Sequence, residues 1–539
     1  MAGFEQALIL VLLLAVLSVL GRKLPWPLPI TYVVGAGLLA LWSEFPRVKL
    51  DPEFFFLFFV PPLLFSDGWL MPLRDFLAAK RPILMLATGL VVLTTVAVGL
   101  VAHWLVPGLS LAMAFALGAV VSPTDAVATG EITHKLKIPA RLTAVLNGES
   151  LMNDATGLVA FKFALAAAVA GTFSVKAAGM EFLVLAAGGL LLGLVIAYLV
   201  GRLRDLLRAV NRSDAYIEVT ISLLTPYAAY LAAEHLHLSS ILAVVAAGMY
   251  SGWRDPLKTD VETRQATWSV WATVLFWLNG LAFILLGLQF PSLLASISDE
   301  YTPGQLALYI AAVSAVAIVA RLLWIFPGAY LPHLISKRIR TTEKRPPLRD
   351  VLVAGWAGMR GTITLAAALS IPQFLEDGSP FPSRHIVIFL AFGVIGVTLL
   401  LQGTTLEALI CKLGVKADDT QTREDRLARI TAVEAGLKSL RAMENPNDPP
   451  QEAAALGEVI AEYEHRLAEL TAEGETQANA SRRRHSNRQH RLRALHSERV
   501  AIDDLWRRNL IADEIHRPLQ QLLDHEEAML HGHAGKNHE

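Results

Sequence analysis

Long apolar runs, following one another from the N-terminus to about residue 415, constrain this chain more than any other feature. A helix needs roughly 20 apolar residues to cross the hydrocarbon of a bilayer. Thirteen segments qualify as candidates: 4–21, 28–44, 53–71, 82–106, 109–131, 142–170, 181–201, 214–234, 239–252, 267–294, 304–331, 350–371 and 384–404. The ninth is short enough to be tilted or re-entrant. A water-soluble domain must wet most of its surface and cannot bury so many runs. Beyond about residue 417 the composition changes to Arg, Glu, Asp, Gln and His, so the chain divides into a membrane domain (1–416) and a helical cytoplasmic tail (417–539). The overall 54% hydrophobic and 18% charged content averages these two unlike parts. One cysteine excludes an internal disulfide framework.

The loops test the span count. With loops on alternating sides, one set carries 21 Lys and Arg, among them Arg22, Lys80, Arg81, Lys137, Arg212 and Lys344. The other set carries four: Arg47, Lys49, Lys176 and Arg384. Positive charge stays on the cytoplasmic side, which predicts an outside N-terminus and a cytoplasmic tail in the cell (inner) membrane. Glu5 precedes the first run and Arg22 and Lys23 follow it. That order is the reverse of a secretory signal, so the run reads as a retained span.

Ionisable residues inside hydrocarbon are costly and mark function by default. The sixth span reads Asn147-Gly-Glu149-Ser150-Leu-Met-Asn153-Asp154-Ala-Thr156-Gly157. Positions four apart stack on a helix, which sets Glu149 over Asn153 and Ser150 over Asp154. A packing stripe is the plain alternative, but two carboxylates and a carboxamide within two turns are too costly for packing alone. Lys162, two turns on, receives no role. In the fifth span, Val121-Ser122-Pro123-Thr124-Asp125 contains a proline that removes a backbone donor and breaks the helix. Inside a membrane such a break survives only against protein or a wet cavity, and its freed carbonyls and hydroxyls are hard ligands for an alkali cation. A simple kink is the other reading. Asp125 suits the positive end of a half-helix. In the twelfth span, Gly358-Met-Arg360-Gly361 holds an arginine that cannot be deprotonated and must be paired. On charge and span position Glu149 is its expected partner, which leaves Asp154 as the unpaired acid of the stripe.

These residues resemble the first family of monovalent cation:proton antiporters, which includes bacterial and animal sodium/proton exchangers. The matching strings are Val60-Pro61-Pro62-Leu63-Leu64-Phe65, Ser122-Pro123-Thr124-Asp125, Asn147 through Gly157, Gly358-Met359-Arg360-Gly361 and Leu401-Gln402-Gly403-Thr404-Thr405-Leu406. They span the whole membrane region in order. The resemblance implies an all-α fold of thirteen transmembrane helices in two inverted repeats, with the broken fifth and twelfth spans crossing at the ion site, and a homodimer. Carried over, Asp154 looks like the ion- and proton-binding carboxylate, Asn153 its partner, and Ser150, Thr124 (through its carbonyl) and Asp125 the rest of the shell. A sodium ion would then sit at Asp154, Ser150 and Thr124. Glu149 and Arg360 look like the structural ion pair. Many relatives place an acid where this chain has Ser66, with Asp67 one residue later. One residue turns a helical position by about 100°, so that ligand stays open. Asn279, in the tenth span, is a further departure with no role attached.

The expected activity is secondary active exchange of sodium or lithium for a proton, not enzymatic catalysis, with the ions as substrates and no cofactor. A buried carboxylate lets cation and proton compete for one charge, and Asn153 cannot ionise, so one cation per proton is expected. A potassium/proton exchanger of the same fold is the nearest alternative. A cation channel is more distant, because one acid per stripe suits an alternating site. No Gly-x-Ser-x-Gly or His-Glu-x-x-His string supports an intramembrane hydrolase. Membrane lipid is the expected surrounding and no nucleic-acid partner is expected. In the tail, Ile430, Val433, Leu437 and Leu440 make the seam of a short coiled coil or bundle, and Asn445 through Pro450 ends that helix. The run Arg482, Arg483, Arg484, Arg488, Arg491 and Arg493 is either a solvated face or a contact for anionic lipid. The histidines His525, His531, His533 and His538 are either a disordered end or a metal or pH sensor. The tail is expected to regulate transport, through lipid or its own membrane domain, or to support dimerisation.

Overall fold

The structure is a computed structural model. It describes residues 2–24, 26–42, 52–136, 138–170, 175–210, 213–297, 300–343, 345–375, 378–415, 419–444, 449–472, 475–508 and 510–532. The loop cations Arg47, Lys49, Lys137, Arg212 and Lys344, the tail break Asn445–Asp448, and His533 and His538 lie outside the described residues. So do the side chains of Lys176, Arg482, Arg483, Arg484 and His531.

The chain forms two compact units, Met1–Lys416 and Ala417–Glu539. No strand occurs among the described residues. The first unit starts with α1 (Ala2–Gly21) and α2 (Leu28–Ala40), followed by α3 (Pro52–Phe58), α4 (Val60–Leu70), α5 (Leu73–Ala78) and α6 (Lys80–Leu84). A π-helical turn, Met85–Leu90, leads from α6 into α7 (Val91–Leu105). Next come α8 (Leu111–Val121), α9 (Ala126–Leu136), α10 (Ala140–Ala170), α11 (Val175–Ala209), α12 (Ala215–His235) and α13 (Ser240–Lys258). The unit finishes with α14 (Val261–Ala295), α15 (Pro303–Ile335), α16 (Lys337–Thr342), α17 (Leu348–Trp356), α18 (Thr362–Leu369) and α19 (Arg384–Leu413). Nine helices or broken helices among the described residues are long and apolar enough to cross a membrane, and α2 is a shorter apolar helix.

Two segments break where the residues demand it. α8 stops at Val121 and α9 starts at Ala126, with Ser122-Pro123-Thr124-Asp125 non-helical between them. α17 stops at Trp356 and α18 starts at Thr362. The two breaks touch: the Asp125 backbone N–H donates to the Met359 carbonyl at 2.8 Å. Gly157 on α10 admits the proline of the first break, since a Cβ there would lie 2.5 Å from Pro123 Cγ. α4 and α13 meet backbone to backbone, and a Cβ on Gly248 would lie 2.3 Å from the Phe65 carbonyl.

Charges gather at helix ends. Glu343, after α16, accepts from Arg81 Nε at 3.1 Å and Arg81 Nη2 at 2.9 Å, and from Arg141 at 3.3 Å. It thereby ties α6 and α10 to the chain leading into α17. These hydrogen bonds from Arg81 hold its carboxyl below the usual range.

The second unit contains α20 (Asp419–Arg441), α21 (Pro450–Thr471), α22 (Glu475–Arg507) and α23 (Asp513–Gly532). Val433 and Leu437 of the α20 seam are buried, as is Ile460 of α21, which packs along α20. Arg441 pairs with Glu464 at 2.6 Å across them. The arginine run lies on α22 and His525 is exposed on α23.

Candidate ion-binding site

α10 delivers the sixth-span stripe into the protein interior. Glu149, Ser150, Asn153 and Asp154 are all buried. They divide by helical phase. Ser150 and Asp154, four apart, line a cavity of about 30 Å³ beside the crossing of the two breaks. A cavity needs roughly 10–15 Å³ to hold one water, so this one suits one or two waters or a largely dehydrated ion. Thr124, Asp125, Gly361, Thr364, Asp67 and Asn279 contribute to the same lining.

Glu149 and Asn153 form the second row and hold the first break in place. Asn153 Nδ2 donates to Thr124 Oγ1 at 2.9 Å, and Thr124 Oγ1 donates to Glu149 at 3.5 Å. Asn153 is not among the residues lining the cavity, and its buried Oδ1 has no hydrogen-bond partner among the described residues. The Ser150 hydroxyl donates to the Thr124 carbonyl at 2.5 Å and accepts from the Ala126 backbone N–H at 2.9 Å. One hydroxyl therefore closes the gap between the break and the start of α9.

Asp125 serves the half-helix N-termini. Its Oδ1 accepts from the Val127 N–H at 2.7 Å, in the first turn of α9. A Cβ on Gly361 would fall 1.6 Å from Asp125 Oδ2, so this carboxylate also lies directly against the start of α18. Unsatisfied N–H groups and the positive dipole ends at both places favour a carboxylate there.

The partner expected for Glu149 requires correction. Glu149 is held by Arg321 of α15, through a short contact from Nη1 and a 2.9 Å hydrogen bond from Nη2, with both side chains 0% exposed. Arg321 also donates to the Ala354 carbonyl at 2.9 Å and the Ala357 carbonyl at 3.4 Å, the unfilled acceptors where α17 ends. Arg360 has a parallel task on the other break. Its Nε donates to the Val121 carbonyl at 3.0 Å, at the end of α8, its Nη1 to the Gly358 carbonyl, and its backbone N–H to Thr398 Oγ1 at 3.2 Å. Each arginine thus satisfies the negative end of one half-helix. Read by charge and span position, the sequence names Arg360 and misses Arg321. Arg321 carried a readable signal: it lies in the eleventh span between Ile318-Val-Ala and Leu322-Leu-Trp, and a lone intramembrane charge asks for a partner.

Of Ser66 and Asp67, the second lines the cavity. Leu63 and Asp67, four apart on α4, both face the cavity, whereas Ser66 is buried and donates back to the Leu63 carbonyl at 2.7 Å. The acid of this chain therefore reaches the cavity from position 67, on the face of α4 that carries Leu63. Three carboxylates, a carboxamide and three hydroxyl-bearing residues therefore surround a space of ionic size. Such hard oxygen donors suit alkali cations.

The transmembrane sodium/hydrogen exchanger profile matches residues 9–412. The chain is 36% identical to the sodium, potassium, lithium and rubidium/proton antiporter of Bacillus pumilus, over 99% of this chain and 78% of that protein. Identity is 30% to the sodium/proton antiporter ApNhaP of Aphanothece halophytica, over 89% and 85%. Among solved structures, the sodium proton antiporter MjNhaP1 of Methanocaldococcus jannaschii at pH 8 superposes with a TM-score of 0.59 at 18% identity, covering 77% of this chain and 99% of that one. That likeness carries the fold, and the profile and relatives carry the family. The chain belongs to the transmembrane sodium/hydrogen exchanger family and is a membrane antiporter rather than an enzyme.

Proposed function

We propose that the protein exchanges one monovalent alkali cation, sodium or lithium first, for one proton, with Asp154 as the carboxylate for which the two compete. The observation that carries this reading is the placement of Asp154 on a cavity of about 30 Å³ at the crossing of two half-helix pairs. A bare carboxylate in so small a buried space is costly. Either a proton or a cation relieves that cost, and the space does not suit both at once. Asp125 is compensated by the helix starts it faces, and Glu149 by Arg321. Asp154 and Asp67 are the acids left to serve the occupant, and one positive charge replaces another at each exchange. Ser150, Thr124 and Asp125 complete the shell, while Asn153 holds Thr124 in position.

The loop charges favour an outside N-terminus and a cytoplasmic tail. Thirteen crossings in two inverted repeats, with breaks seven spans apart, fit an ion site near the membrane midplane. A homodimer in lipid, with the helical tail regulating transport, completes the proposal. A wider cation range is the second reading, supported by the four alkali ions in the name of the Bacillus pumilus relative.

The test is proton flux in proteoliposomes on successive addition of Na⁺, Li⁺ and K⁺. Flux with Na⁺ and Li⁺ that generates no membrane potential is expected. Net current would refute the one-for-one count, and a response to K⁺ alone would refute the choice of sodium.

A further inference from the structure

The geometry points to Asn279 as a neutral ligand of the transported cation, its carboxamide oxygen completing the shell from α14. This rests on the reading of Asp154 given above.

Between Trp271 and Gly287 the polar side chains of α14, indoles aside, are Thr273 and Asn279. Thr273 satisfies itself by donating to the Ser269 carbonyl at 3.0 Å. No described residue hydrogen-bonds the Asn279 carboxamide, which opens on the ion cavity. The neighbouring faces of α14 are committed elsewhere. A Cβ on Gly280 would lie 2.2 Å from Leu14 Cδ1, and one on Gly287 would lie 2.4 Å from the Val33 carbonyl. α14 is thus pressed against α1 and α2, and position 279, one residue from Gly280, is turned by about 100° toward the cavity.

The other donors around the cavity are partly spent. Ser150 bonds Thr124 and Ala126, the Thr124 carbonyl accepts from Ser150, and Asp125 accepts from Val127. Asn279 brings an oxygen with two lone pairs and no prior engagement. Asn279 and Asp154 share the lining of this one cavity of about 30 Å³. A carbonyl oxygen adds coordination without adding charge. A proton needs one oxygen to bind and a cation needs several, so this group favours the cation over the proton.

Asn279→Ala and Asn279→Leu, the second filling the space without an oxygen, are to be reconstituted beside Asp154→Asn. Sodium-driven proton flux is then measured across Na⁺ concentrations at one alkaline pH. Both Asn279 variants are expected to raise the KM for Na⁺ about tenfold, as loss of one ligand of hydrogen-bond strength would, with the maximal rate kept within about twofold. An unchanged KM in either variant, whatever the maximal rate, overturns the assignment. Normal exchange by Asp154→Asn would instead overturn the reading of the site itself, so the two failures are distinguishable.

Discussion

Replacing Arg321 by Ala removes the only cation hydrogen-bonded to Glu149 among the described residues. Both side chains are fully buried, so Glu149 would be left charged and bare, or would have to take up a proton. Breaking a buried pair from one side costs about 3–5 kcal/mol. Arg321 also fills the Ala354 and Ala357 carbonyls where α17 ends, and each lost hydrogen bond adds about 1 kcal/mol. The expected loss for Arg321→Ala is therefore about 5 kcal/mol or more, enough to lower the melting midpoint in detergent by several degrees. Glu149→Gln alone leaves the Arg321 charge buried without its counter-charge and should also cost about 3–5 kcal/mol. Combined with Arg321→Met it should recover much of the loss, which a double-mutant cycle would report as a coupling of about 2–3 kcal/mol. The same cycle with Arg360→Met should give a smaller coupling, because Arg360 serves Val121 and Gly358. Melting of Arg321→Ala at the wild-type midpoint, or a larger coupling of Glu149 to Arg360, would refute the pairing.

Two further predictions follow from the same geometry. Gly361→Ala would place a methyl group 1.6 Å from Asp125 Oδ2; it should lower sodium-driven flux at least about tenfold, and wild-type flux would show that the crossing tolerates displacement. Glu343 has a folded-state pKa below its ordinary value of 4.5, so its stabilising contribution is present above about that pH and fades as pH falls through the lower folded value. Glu343→Gln should therefore melt below wild type at neutral pH, with the gap closing in acid; a gap that widens in acid would contradict the sign.

Much of this site was readable because membrane burial makes polar residues conspicuous. The break at Pro123 and the stripe on α10 follow from one proline and a four-residue spacing, and Ser150 and Asp154 share the cavity as that spacing requires. The Arg321 pairing was not readable from position, because two arginines in the eleventh and twelfth spans both satisfy a charge argument. Only the fold shows that each closes a different half-helix end. Asp67 was ambiguous because the residue order does not say which face of α4 meets the cavity; the lining shared by Leu63 and Asp67 supplies that. Asn279 stood out as polar, but nothing in the order of residues says that α14 and α10 line the same cavity.

The most direct test of the account is uptake of radioactive Na⁺ into proteoliposomes driven by an imposed pH gradient, comparing wild type with Asp154→Asn at equal reconstituted amounts. Asn keeps the shape of Asp154 and removes the charge. Uptake by wild type and background uptake by the variant, with the two proteins melting alike, is the predicted result. Gradient-driven uptake by Asp154→Asn at the wild-type rate would place the competing charge elsewhere and contradict the account.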